Sequence, residues 1–512
     1  MVSAQSALIS LGVLLVSLVT LPRCGKKCDA PALNLNRLES VKRSVYGTGP
    51  RGYLIVPNPI EATKNLQATI SDLKTTEAYD AFHLPGLLDQ SRLENNFIKV
   101  RVQEWNDPIS SLATANAQGE FGFAIEDPRY SEVMAYHSVY TIQDYVESLG
   151  FSVVQSRPLY IMVRAKTENP DEVNALYDHN YLNPSLPRTM RLFGNTPFAP
   201  GMDRDMYWHE FGHLFNESVS REVGIDLAAD YGAVFTEGSA LHECLADLRN
   251  NLVTEQPTIG RWLARNIAGI SPGAPLRYAV DRNDGKSQFR SVILADGSGT
   301  NPERYTVAEW CTRVLWEIRD NVVKQNPQDG NALADRLIFS AASLLPRDAS
   351  LQQFMQALKQ ADEELHCGEY SDGIEAAFER RGFVEEPEEL SRPLQLVAEP
   401  VRLRVSQRSQ GFFQPTSLGF RITVTNPNSE TARNVRVKLE SLDPNLHVLT
   451  YQQGYGDLPP GSALNIGERL GFDFSVSAEI DRATPQGKRL GYRIRVFSDN
   501  GGEKVLEGQV QP

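Results

Sequence analysis

Trp208-His209-Glu210-Phe211-Gly212-His213 sets two histidines four residues apart, with a glutamate directly after the first. No other feature constrains the chain as much. On an α-helix, positions i and i+4 project from one face, so His209 and His213 can reach a single metal ion together, while Glu210, about 100° round from His209, can stand beside the metal's open position. With eight histidines in 512 residues, this pattern falls by chance in roughly one such chain in a hundred. The segment is expected to be a helix that carries zinc. Two imidazoles leave zinc under-coordinated, and a catalytic site takes three protein ligands and keeps one open position.

The third ligand is sought 30 residues on, in Gly238-Ser-Ala-Leu-His-Glu243-Cys-Leu-Ala-Asp247. Ser239 is expected to cap a helix here, and Glu243 and Asp247 at i and i+4 share its face. Glu243 can ligate zinc while Asp247 accepts the N–H of a ligating imidazole and fixes its tautomer. Alone, this pair would read as exposed carboxylates on a solvated helix; the neighbouring motif changes that, and one zinc per chain is expected. His242 is expected on another helix face as a packing or surface residue. His83, His137, His179, His366 and His447 are read the same way, and Cys244 as a small core residue.

The single long apolar run, Ala7 to Leu21, is too short for a confident membrane span but suits the core of an export signal. No Lys or Arg precedes it, whereas Arg23, Lys26 and Lys27 follow. Leu21-Pro22-Arg23-Cys24 has a lipobox-like leucine, with Arg23 where a small residue is usual, so two readings stand: Cys24 as a lipid anchor, or simple cleavage with Cys24 or Cys28 in a disulfide. If Cys24 is lipidated, Cys28, Cys244, Cys311 and Cys367 allow three pairings. Five cysteines are too few for a disulfide-built scaffold. A net charge of −13 gives no footprint for nucleic acid or an anionic membrane.

Short alternating runs with turn signals fill residues from Val45 to Phe151, including Arg51-Gly-Tyr-Leu-Ile-Val-Pro-Asn-Pro59, and an amphipathic stretch runs from Tyr130 to Leu149. From Asp203 to Phe383 the pattern is helical, in runs at 205–216, 239–250, 307–323, 331–345, 351–365 and 373–380. Val384-Glu-Glu-Pro-Glu-Glu389 cannot continue a helix across Pro387. Beyond it Phe420/Ile422/Val424, Val435/Val437/Leu439 and Leu490/Tyr492/Ile494/Val496 alternate with polar residues, as in an antiparallel sandwich. The expected organisation is an export or lipoprotein signal at 1–24, a linker at 25–44, a strand-rich lobe at 45–204, a helical lobe at 205–383, a linker at 384–394 and an immunoglobulin-like β-sandwich at 395–512. The fold class is α+β.

These residues resemble the thermolysin-like gluzincins, with the closer match to their fungalysin branch. Besides the zinc motifs, the likeness includes Val56-Pro-Asn-Pro59, Glu132-Val-Met-Ala-Tyr136, Asn174-Ala-Leu-Tyr177, Leu315-Trp-Glu-Ile-Arg319 and Ala376-Ala-Phe-Glu-Arg-Arg-Gly-Phe383. The resemblance implies a two-lobed zinc endopeptidase, a hydrolase and metalloprotease of protein or peptide substrates, with His209, His213 and Glu243 holding zinc. It implies peptide-bond hydrolysis through a zinc-activated water, with Glu210 as general base, and Asn174 and the Ala175 backbone holding substrate as an added strand. Asp205 matches a calcium-linked position of some relatives, but no partner carboxylates are evident and calcium is not expected.

The family also places a histidine ahead of the Leu-Trp helix to stabilise the oxyanion, and no histidine lies between His242 and His366. Registering Leu315-Trp316 on the family pattern puts Tyr305 there. Its phenol can donate to a developing oxyanion, or the ring can simply pack. A second donor position falls around Val234-Phe235, which offers none. Only about twenty residues separate the signal from the catalytic region, too few for the family's long propeptide. The expected protein is a monomeric exported zinc endopeptidase, secreted or held at the cell envelope, whose C-terminal module binds a surface or substrate. The alternative is a zinc-retaining, non-catalytic binding or adhesion protein on a protease scaffold, for which the altered oxyanion side and the attached sandwich speak.

Overall fold

A computed structural model describes residues 49–511 with interruptions, the longest at 166–172, 179–187, 220–236, 290–303, 403–416 and 466–475. The signal region, Cys24, Cys28, His179 and Val234-Phe235 lie outside the described residues. The chain is α+β. Among the described residues, no helix is long and apolar enough to cross a membrane.

Strands come first. β1 (Arg51–Leu54), β2 (Asp80–His83) and β5 (Glu120–Phe121) form a small sheet in the order β2-β1-β5. β3 (Ile98–Glu104), β4 (Asp107–Ser110), β6 (Leu159–Ala165), β7 (Ala175–Asp178) and β8 (Arg188–Phe193) form a mixed sheet in the order β4-β3-β6-β8-β7. β3, β6 and β8 run parallel, while β4 and β7 are antiparallel to their neighbours. Short α1 (Pro59–Thr63) follows β1, its first turn satisfied by the Asn58 side chain, which accepts from the Ile60 and Glu61 N–H groups.

Helix α2 (Arg129–Ser148) packs against both sheets and is buried on most of its circumference. Its role is to seat α3 (Arg204–Val219), the helix of the histidine pair. Trp208 Nε1 donates to the Ser138 carbonyl at 2.8 Å, and Tyr207 Oη donates to the Ser131 and Gly201 carbonyls at 3.1 and 3.0 Å. Both aromatics are fully buried, so their polar tips need these partners.

The second half is helical as expected: α4 (Glu237–Thr254), α5 (Arg304–Gln325), α6 (Gly330–Ser343), α7 (Leu351–His366) and α8 (Ser371–Arg380). Helix α4 packs on both α3 and α5. At the α3–α4 crossing, a Cβ on Gly212 would lie 2.6 Å from Ala246 Cα, so only glycine admits this approach. Ser239 lies inside α4, whose assignment begins at Glu237, and therefore is not the cap that the sequence suggests. Ser350 and Gln353 form a reciprocal capping box at the start of α7. These helices, α2, α3 and the first two sheets share one hydrophobic core.

The remaining strands, β11 (Gln395–Arg402), β12 (Ser417–Thr425), β13 (Ala432–Ser441), β14 (Leu446–Thr450), β15 (Gln452–Leu458), β16 (Ala463–Asn465), β17 (Val476–Ile480), β18 (Leu490–Ser498) and β19 (Gly501–Val510), follow a two-stranded ribbon of β9 (Thr258–Ile259) and β10 (Arg277–Tyr278). They make two antiparallel sheets, β11-β12-β17-β14 with β16 on β12, and β15-β13-β18-β19. The alternating residues Phe420/Ile422/Val424, Val435/Val437/Leu439 and Leu490/Tyr492/Ile494/Val496 all point into a second core of their own. One buried ion pair crosses from this region to the helices: Arg436 of β13 lies 3.3 Å from Glu237 at the start of α4, and the same Glu237 carboxylate accepts the Leu351 N–H at 2.9 Å.

Cys244 and Cys311 are buried free thiols. Cys367, just past the end of α7, is disulfide-bonded.

Candidate metal centre

Three side chains converge where α3 and α4 cross. His209 Nε2 and His213 Nε2 lie 3.2 Å apart, and the nearer Glu243 oxygen lies 3.3 Å from the first and 3.8 Å from the second. A tetrahedral zinc with bonds of about 2.0–2.1 Å places its ligand atoms roughly 3.3 Å apart, so the residues present fit the metal. Among the described residues, this is the one group of three or more His, Cys, Asp or Glu side chains close enough to hold an ion. All three are buried.

The far side of each imidazole is also occupied. His209 Nδ1 faces Asp247 at 2.7 Å, the arrangement that leaves the Nε2 lone pair for a metal. Burial alone would lower the His209 pKa, but the Asp247 and Glu243 carboxylates overcome it and raise it to about 10. Those carboxylates thus favour a cation at this place, a role a metal can take over from the proton. Glu210, one residue after His209, is 97% buried and has its own partners within the fold.

Two residues join the site that the sequence does not mark. Arg277 of β10 grips Asp247 with Nε–Oδ2 and Nη2–Oδ1 distances of 2.5 and 2.6 Å, and its Nη2 lies 3.4 Å from His209 Nδ1. Burial works against its charge and Asp247 restores it, so the Arg277 pKa is raised. Nothing in its local sequence announces this; it arrives on the β9–β10 ribbon, which α3 itself holds. Asp205 accepts the Gly260 N–H at 2.9 Å and Asp203 accepts the Leu263 N–H at 3.3 Å, fixing the loop after β9.

His242 is the other. Its Nδ1 lies 2.9 Å from His213 Nδ1, so the helix face on which it was expected as a packing or surface residue is the one that meets the histidine pair. The signal was present in the pattern His242, Ala246, Arg249, an i, i+4, i+7 stripe turned to α3, where Ala246 meets Gly212 and Arg249 Nη1 donates to the Gly212 carbonyl at 2.9 Å.

Tyr305 stands in the first turn of α5, 37% exposed, its ring 5.3 Å from the Arg277 guanidinium. That places it beside the site and partly open to solvent. Asn174 and Ala175 lie at β7, the last strand of the mixed sheet, which packs against α3. Asn174 accepts the Phe193 N–H through its carbonyl at 2.8 Å, so strand alternation turns the Ala175 backbone outward. The Asn174 side chain is turned to its own chain and accepts the Ala175 N–H at 2.9 Å.

Residues 189–386 match the fungalysin metallopeptidase family (M36). It is a thermolysin-like zinc metallopeptidase family. The fungalysin match spans β8, the histidine pair, Glu243, Asp247, Arg277 and Tyr305, and ends just past α8. Members of that family are zinc metallopeptidases, hydrolases of protein or peptide substrates, and are typically secreted. A search of the curated proteins finds no match.

Proposed function

We propose that this protein is an exported zinc endopeptidase in which His209, His213 and Glu243 hold the metal and Glu210 is the general base. The observation that carries the reading is the convergence of the three donor atoms at tetrahedral spacings within a fungalysin-matching segment. When bound, zinc supplies Lewis acidity, lowering the pKa of a water and polarising a peptide carbonyl. Glu210, one residue from His209 on the same helix, takes up the proton that the attacking water loses and returns it to the departing amine nitrogen. Asp247 and Arg277 keep His209 in the ligating tautomer. The Tyr305 hydroxyl donates to the oxyanion, and the outward Ala175 backbone receives substrate as an added strand beside α3.

The reading extends to architecture. Residues 45–204 and 205–383 form the two lobes of a thermolysin-like domain, and residues 395–512 form an immunoglobulin-like sandwich that binds a surface or substrate. Supporting export, Cys367 sits in a disulfide, a bond that persists in oxidising compartments. The chain acts as a monomer.

The test is Glu210→Gln. Peptidase activity on a peptide library is expected to vanish while zinc content stays at one per chain. Undiminished cleavage by the variant sinks the assignment. A wild-type chain that holds zinc yet cleaves nothing in the library supports the alternative of a binding protein on a protease scaffold.

A further inference from the structure

We infer that His242 accepts the Nδ1–H of His213 and so acts as a positioning residue for zinc. The inference rests on the zinc reading above and deepens it. The two Nδ1 atoms are 2.9 Å apart with hydrogen-bond geometry, the ring planes lie 28° apart and the centroids 4.4 Å apart. Between two such nitrogens there is room for one hydrogen, so one ring donates and the other accepts.

The metal decides which. His213 directs Nε2 towards His209 Nε2 and Glu243, and a ligating nitrogen must present a lone pair. The His213 hydrogen is therefore on Nδ1, where it is donated to His242 Nδ1, and the hydrogen of His242 is on its own Nε2. The opposite arrangement would put an N–H of His213 where the metal belongs. With zinc on Nε2, His242 thereby supplies the acceptor that holds its neighbour in the ligating tautomer.

The position of His242 is itself fixed from α3. Asn216 Nδ2 donates to the His242 carbonyl at 3.3 Å, and Ala246, one turn further along α4, abuts Gly212. The two zinc histidines thus have unlike outer partners: a carboxylate for His209 and an imidazole for His213. Glu243 and Asp247 already bring two carboxylates to the site, and an imidazole acceptor orients His213 without a third.

The test compares His242→Ala, which removes the acceptor, with His242→Asn, whose amide oxygen falls where Nδ1 stood. Zinc dissociation constants are measured on the purified full chain by competition with a chromophoric chelator, alongside the melting temperature of the metal-free forms. The Ala variant is expected to bind zinc about 10–100-fold more weakly and the Asn variant within about threefold of wild type, with metal-free melting unchanged in both. Long-range proton–nitrogen NMR of the zinc-loaded wild type, which needs no variant, is expected to show His213 protonated at Nδ1 and His242 at Nε2. Wild-type zinc affinity in the Ala variant, failure of Asn to restore it, or the opposite protonation pattern overturns the inference. A wild-type chain that binds no zinc overturns the zinc reading beneath it, a result distinct from these.

Discussion

Arg277 closes a two-bond fork on Asp247, the carboxylate that also faces His209 Nδ1 at 2.7 Å. The two bonds are charge-assisted and buried, and Asp247 offsets what burial costs the Arg277 charge. Removing Asp247 by Asp247→Ala frees the His209 tautomer and is expected to weaken zinc binding about 10–100-fold. Arg277→Ala leaves Asp247 with His209 but strands part of its charge, and is expected to cost about 3 kcal/mol of stability. Chelator competition and denaturant unfolding of the metal-free protein separate the two effects.

Tyr305 is poised for a selective loss. If its hydroxyl meets the transition state, Tyr305→Phe lowers kcat by about 10–100-fold and leaves KM nearly unchanged, because the ring stays beside Arg277. Steady-state kinetics on one peptide decide the matter, and an unchanged kcat assigns the ring to packing.

Asp205 predicts a pH dependence of stability. Burial raises its pKa to about 6, above an unfolded value of about 3.9, and its neighbour Asp203 is raised as well, first by burial and then by the Asp205 charge. The native state therefore holds a proton that the unfolded chain has released between about pH 4 and pH 6, and stability falls as pH rises through that window. Asp205→Asn cannot ionise. Its melting temperature relative to wild type is expected to rise from pH 4.5 to pH 7, by an amount equivalent to about 2–3 kcal/mol. A difference that stays flat across that range refutes the assignment.

Arg436 and Glu237 make the C-terminal sheets part of the support for α4. Glu237 is 1% exposed, and without Arg436 its carboxylate keeps the Leu351 N–H but loses its cation. Arg436→Met is expected to cost about 3 kcal/mol, and the double change Arg436→Met with Glu237→Gln to recover most of it, since the neutral amide oxygen still accepts the Leu351 N–H and no charge is left unpaired. Thermal unfolding of the four proteins in the cycle measures the coupling.

Long-period features were legible in the sequence. The runs at 205–216, 239–250 and 307–323 became α3, α4 and α5 because their apolar spacing repeats every turn, and the alternation of Leu490, Tyr492, Ile494 and Val496 became β18. His209, His213, Glu243 and Asp247 were legible for the same reason, since i and i+4 share a face whatever surrounds them. Arg277 was not, because its partner lies 30 residues away and the loop that delivers it is fixed by Asp203 and Asp205. The place of His242 was not legible either, because the helix crossing at Gly212 decides which stripe of α4 meets α3. Ser239 shows the ordinary uncertainty of helix ends.

The glycine in the middle of the histidine motif acts as a gauge. A methyl group at position 212 would press on the Ala246 backbone and push the two helices apart, and with them two histidines on one rod and a glutamate on the other. Bonds to a small cation tolerate only tenths of an ångström. On the zinc reading, the chain would therefore forfeit its metal through a single carbon atom added at a residue that never touches it, with all three donors still in place.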